Sequence, residues 1–192
     1  MSIFAAILLA QAPVAAAADV PAPMPTGEEM TARIEANDAQ LFWGFFEGCD
    51  PEAVAGLLHP DYRMVHDLVG LPHDSAEAMV QSAREQCERR APGGDAEGYK
   101  NRRLLVPGSR TIKKLGDWGA LEEGHHTFLE LRQRPAGTYG PDDPGGPTWV
   151  QTGGGRYLHV WQWMADEGRF RLLESLSLDH GPAPAYPPEG VR

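Results

Sequence analysis

"GCDPEAVAGLLHPDYRMVHDLVG", residues 48–70, decides the fold, because it passes straight from a capped helix into a strand and ends on a histidine beside an aspartate before glycine. Asp50 has the N-cap chemistry, Pro51 suits the first helical position, Glu52 falls in the first turn, and Val54, Leu57 and Leu58 supply a buried face. Beyond it, Tyr62, Met64 and His66 share one face of a strand and Arg63, Val65 and Asp67 the other.

Working outward, Thr26 followed by Glu29 reads as a capping box, and Met30, Ile34, Leu41, Phe42, Phe45 and Phe46 recur near helical spacing, predicting a long amphipathic helix that ends near Gly48. After the turn "GLPHD", Asp74 with Glu77 forms a second capping box for a third helix whose face is Ala76, Met79, Val80, Ala83 and Cys87. Past "RRAPGGDAEG" the apolar period changes to two. Strands are predicted over 101–105, 110–115, 119–134, 155–166 and 168–180, and "RPAGTYGPDDPGGPTWVQTGGG" reads as a loop too rich in Gly and Pro to be a strand. Helices early and long antiparallel strands late make an α+β chain in which a curved sheet wraps around three N-terminal helices.

The 192 residues suit a single domain, and a formal net charge of −10 argues against nucleic acid, which needs a positive face for counterion release. The clusters "KNRRLL" and "SRTIKKL" read as the solvated face of a sheet. Residues 1–18 have the layout of a signal peptide: an apolar run from Ile3 to Ala10, too short to span a bilayer, then Ala16 and Ala18 as an A-x-A site. They lack the usual Lys or Arg before that run. Residues 19–28 then form a flexible leader, 29–182 the domain and 183–192 a Pro-rich tail, with the protein periplasmic or secreted, and otherwise cytoplasmic. Cys49 and Cys87 pair as a disulfide if the chain is exported or remain buried thiols if it is not.

The run "ANDAQLFWGFFEGCDPEAVAGLLHPDYRMVHDLVG", followed by "GDWGALEEGHHTF", "YLHVWQWMADEGRFRLLES" and "LSLDHGP", resembles the SnoaL-like branch of the nuclear transport factor 2-like superfamily over roughly residues 30–182. The resemblance implies a cone: a strongly curved antiparallel sheet around a pocket closed by helices, with a homodimer through the sheet's open face. In ketosteroid isomerase-like members the proton-abstracting carboxylate ends the first strand, where Asp67 stands. The enolate-stabilising tyrosine would fall near Phe42, which has no hydroxyl to donate.

His66, Asp67 and His126 are therefore the candidate acid–base residues, with a raised pKa expected of Asp67 in an apolar pocket. His66 and Asp67 face opposite ways on a strand unless a bulge intervenes. Phe42, Trp43, Tyr62, Tyr157, His159, Trp161 and Trp163 are the candidate ligand-binding residues, the last four forming one stripe on a strand. His180, beside Asp179, ends the last strand within reach of the pocket rim. No H-x-H pair, G-x-S-x-G or complete phosphate loop occurs, so neither a metal nor a cofactor is expected. Two functions follow: a pocket that binds a small apolar or aromatic ligand without chemistry, or a cofactor-independent lyase, isomerase or cyclase.

Overall fold

A computed structural model describes residues 21–182. The expected signal peptide, the first leader residues and the Pro-rich tail lie outside these described residues. Helix α1 spans Gly27–Phe42 and runs on through a single π turn, Trp43–Glu47. Thr26 is its N-cap residue, but no side-chain capping bond forms there. Helix α2, Pro51–Leu57, starts as expected: the Asp50 carboxylate accepts from the Ala53 N–H. Helix α3, Ala76–Arg90, is capped by Ser75 rather than Asp74, its hydroxyl accepting from the Ala78 N–H. A Cys49–Cys87 disulfide ties the approach to α2 to the last turns of α3.

The strands are β1 Leu58–His66, β2 Gly70–His73, β3 Asn101–Leu105, β4 Thr111–Leu115, β5 Gly119–Arg134, β6 Gly146–Met164 and β7 Arg169–Gly181. Their order is β2-β1-β7-β6-β5-β3, with β4 also on β5. Every pair is antiparallel except β1 with β7, which sets His66 beside Ser177 and Met64 beside Ser175.

Two sequence expectations change. "GLPHD" carries strand β2, a short partner for β1, rather than a bare turn. The Gly- and Pro-rich segment is a loop only over 135–145; from Gly146 it pairs with the second half of β5, whose backbone donors and acceptors need a partner. Asp143 closes that loop by accepting from the Tyr139 and Gly145 N–H groups and pairing with Arg134.

The apolar core fills the lower part of the cone. Met30 and Ile34 of α1 and Val54 and Leu57 of α2 pack on Trp161, Trp163, Phe170 and Leu172 of the sheet. A buried side chain of this size contributes about 1.5–3 kcal/mol, so this layer fixes the helices against the strands. Above it the helices and sheet part.

Candidate functional site

The gap between them is a cavity of about 410 Å³. Phe42, Phe45 and Phe46 border it together because the π turn rotates the end of the first helix, and Tyr62, Met64 and His66 reach it from the β1 face that alternation assigned to them. Phe128 and His126 of β5, Tyr157 and His159 of β6, and Ser175, Ser177 and His180 of β7 complete the sheet side.

Three expected lining residues are elsewhere. Trp43 is 52% exposed, its ring lying where a Cβ on Gly48 would be. Trp161 and Trp163 do share the stripe with Tyr157 and His159, but the strand runs down past the cavity into the core. There Trp161 Nε1 donates to Glu122, and Trp163 packs on Phe170 and donates to the Ala22 carbonyl.

The closed end of the cavity, walled by His126, Tyr157 and His159, backs onto a buried charge network. Asp38 of α1 accepts from Arg103 of β3 (2.6 Å) and from Arg110 just before β4 (2.5 Å). Glu122 of β5 accepts from Tyr157 Oη (3.1 Å) and Trp161 Nε1 (2.9 Å) and lies 3.0 Å from Arg110 Nε. Arg103 is thus not the solvated residue expected from its basic cluster: it is buried with its partner Asp38, and its guanidinium lies 3.8 Å over the Phe42 ring. Lys113 and Lys114 of the second cluster are solvated as expected. Burial pushes the Asp38 pKa up, but the neighbouring His159 and Arg103 outweigh it and hold the carboxyl at about 2. Burial pulls His159 down, yet Asp38 at 3.5 Å and Glu122 at 3.6 Å raise it overall.

His126 is 2% exposed, and its tautomer can be deduced. Arg103 Nε–H donates to His126 Nδ1 at 3.2 Å. A nitrogen that accepts carries no proton, so the neutral ring keeps its hydrogen on Nε2. Burial, then the Arg103 charge, pushes its pKa down to about 2, so the ring is neutral at any physiological pH. The ring borders the cavity, and its buried Nε2–H has no partner among the described residues.

The open end carries His66, Asp67 and His180. Asp67 lies just past β1, held by its N–H donating to the Ser177 carbonyl. It faces His180 from behind rather than bordering the cavity: it accepts from the His180 backbone N–H (3.0 Å) and lies 2.6 Å from His180 Nδ1. The backbone bond from His180 lowers its pKa, with burial a smaller opposing effect, so the raised value expected of a free pocket carboxylate is not found. His180 itself reaches the cavity through a bulge. Asp179 takes a left-handed φ of 56° and the β6–β7 register slips beside it, returning His180 to the face of Ser177. The ring then lies over Gly155, where a Cβ would stand 3.2 Å from it. His66 stacks on His180 at 4.0 Å with 10° between planes, and its Nδ1 accepts from the Leu68 N–H. Burial, then His180, lowers the His66 pKa against the opposing pull of Asp67.

Two groups bring three ligand-type side chains within 4.8 Å, His66–Asp67–His180 and Asp38–Glu122–His159. Neither is shaped for an ion. Imidazoles stacked face to face cannot both aim an in-plane lone pair at one point, and the second group is already neutralised by Arg103 and Arg110.

A solved nuclear transport factor 2-like superfamily protein from Salmonella enterica serovar Typhimurium superposes with a TM-score of 0.55, covering 85% of this chain and 98% of that one at 17% identity. The chain has the nuclear transport factor 2-like fold. Aln2 from a Streptomyces species shares it (TM-score 0.58, 12% identity, 80% and 92% covered), as does a Catenulispora acidiphila protein solved in complex with S-DNPA (TM-score 0.55, 16% identity, 79% and 95% covered). No protein-family model and no curated protein sequence matches the chain. At these identities the likeness establishes the cone and its helices, and the site rests on its own geometry. Among the described residues, no helix is long and apolar enough to cross a membrane.

Sequence reasoning missed Asp38, Glu122 and Ser177 and underrated His180. Asp38 interrupts the apolar face of α1 between Ile34 and Leu41, which was its available signal.

Proposed function

We propose that the cavity binds a small, flat, mostly apolar ligand that presents an acceptor oxygen to His126. The observation that carries this is the buried Nε2–H of His126, unpaired beside Phe42, Phe128 and Tyr157 rings. A buried donor without a partner costs about 1–3 kcal/mol, which a ligand carbonyl would restore on binding. The S-DNPA complex of the Catenulispora protein supports a small-molecule occupant for a cone of this kind.

The test compares 2-acetylnaphthalene with 2-isopropylnaphthalene, which match in shape but differ in the carbonyl. The ketone should bind about tenfold tighter and shift the His126 ring signals, and His126→Phe should erase that preference. Equal affinity of the two compounds, or entry of neither, rejects the proposal.

The lyase, isomerase or cyclase reading is favoured by one observation, the His66–His180 stack on the same cavity wall. It calls for an acid–base group on the cavity wall, and the neutral His66 ring, its Nδ1 accepting from the Leu68 N–H, supplies an Nε2–H as the proton donor. Export belongs to this proposal too: the apolar leader with its A-x-A site and the Cys49–Cys87 disulfide both suit an oxidising compartment. Cell fractionation tests it. A homodimer through the sheet's open face completes it, with light scattering as the check.

A further inference from the structure

Among the described residues, Ser177 is the side chain at the open end that the binding proposal leaves unused. Its Oγ lies 3.1 Å from His180 Nε2, and His180 Nδ1 lies 2.6 Å from Asp67 Oδ1. The direction of every proton along this chain follows from Asp67. An ionised carboxylate only accepts, so Nδ1 must donate, the neutral ring has its free lone pair on Nε2, and Ser177 Oγ–H donates to it. The chain is assembled by three local devices: the parallel β1–β7 pairing that sets His66 beside Ser177, the Asp67 N–H bond to the Ser177 carbonyl, and the Asp179 bulge that swings His180 inward. Ser177 and His180 both border the cavity, and Asp67 stands behind them.

We propose that Ser177 is a nucleophile, activated by His180 and positioned through Asp67, that cleaves small esters of apolar acids or alcohols. This rests on the cavity holding a flat apolar ligand, and it adds the substrate class. Ser177 Oγ attacks the ester carbonyl carbon as its proton passes to His180 Nε2; the C–O bond to the alcohol breaks, and the departing oxygen takes that proton. Water, deprotonated by the same nitrogen, then attacks the acyl-Ser177, releasing the acid and restoring the hydroxyl. Catalytic contact is made by Ser177 and His180; Asp67 is a positioning residue.

The test treats the full chain with diisopropyl fluorophosphate, in which Oγ displaces fluoride from phosphorus, and locates the adduct by peptide mass. Binding of 2-acetylnaphthalene is followed in parallel. A single adduct on Ser177, absent from Ser177→Ala while the ketone still binds that variant, supports the proposal. Hydrolysis of 2-naphthyl acetate should disappear with it. Asp67→Asn should slow labelling about 10⁴-fold and move the pH of half-maximal rate, which a mere loss of folded protein would not do. Ketone binding with no adduct on Ser177, or an adduct elsewhere, overturns the nucleophile and leaves the binding proposal standing. Neither binding nor adduct overturns both.

Discussion

The two ends of the cavity use the same residue types to opposite effect. At the closed end, Asp38, Glu122, Arg103, Arg110 and His159 neutralise one another as charges, while His126 Nε2–H, Arg103 Nη2 and Thr127 Oγ1 are among the buried polar atoms left without a hydrogen-bond partner. At the open end, Asp67 and His180 pass their polarity outward to a hydroxyl on the cavity wall. Buried charges that close on themselves hold a fold, whereas a chain of charge that ends on a free hydroxyl is arranged for a partner. The contrast predicts that closed-end substitutions change stability and open-end substitutions change chemistry.

The largest effect should come from Asp38→Asn. It leaves the buried Arg103 without its carboxylate and removes one of the carboxylates of Arg110, at a cost of about 3–5 kcal/mol. Thermal melting should show a drop on the order of 10 °C. A variant that melts within a degree of the parent would remove the distinction between the two ends.

Gly155→Ala tests the open end without touching a charge. The new Cβ would meet the Leu178 carbonyl at 2.9 Å and the His180 ring at 3.2 Å, so the ring must move off Ser177. Labelling by the fluorophosphate should slow about 10²-fold, while the acid dependence of melting stays as it was.

The pH dependence sharpens the closed end. His126 has a folded pKa depressed to about 2, so the unfolded chain binds its proton first and stability falls as pH drops below about 6.5. Each such group contributes a slope of about 1.4 kcal/mol per pH unit across that window. His66 and His73 are lowered and act in the same direction, whereas His159 is raised and acts against them. Asp38, held at about 2, adds a further loss once pH falls below about 4. Denaturant titrations between pH 6 and 4 should show His126→Gln with a shallower slope by about one proton. An unchanged slope would mean that His126 is not buried neutral.

The smallest effect is expected at Arg156→Ala. Its pair with Asp179 is exposed, 37% and 66% at the two side chains, so its loss should cost under about 1 kcal/mol. A larger loss in denaturant melts would mean that this pair, and not the backbone alone, holds the bulge that turns His180 inward.

The two ends also differ in how well the sequence announces them. Strand β1 was readable in Tyr62, Met64 and His66, and α2 in Asp50 and Pro51, because a cap and a period of two are written in consecutive residues. The aromatic stripe of β6 was readable as one face for the same reason. How deep each member of it lies was not, since the change from cavity to core between His159 and Trp161 depends on where α1 crosses the sheet. Arg103 and Arg110 read as solvated because basic residues at strand spacing usually are, and only the facing Asp38 and Glu122 bury them. The relay at the open end joins Asp67 to His180 across 113 positions of chain and depends on a bulge at Asp179 with no local signature.

What the sequence by itself determined is the order of elements, the α+β class and the cone it resembles, since caps and apolar periods act over a few residues. Tertiary structure alone decided that Asp67 supports an imidazole instead of acting as a free base, that His126 is neutral with its hydrogen on Nε2, and that Ser177 has a partner. Proton positions are set by which groups meet across strands, and that meeting is a property of register, bulge and curvature rather than of any stretch of chain.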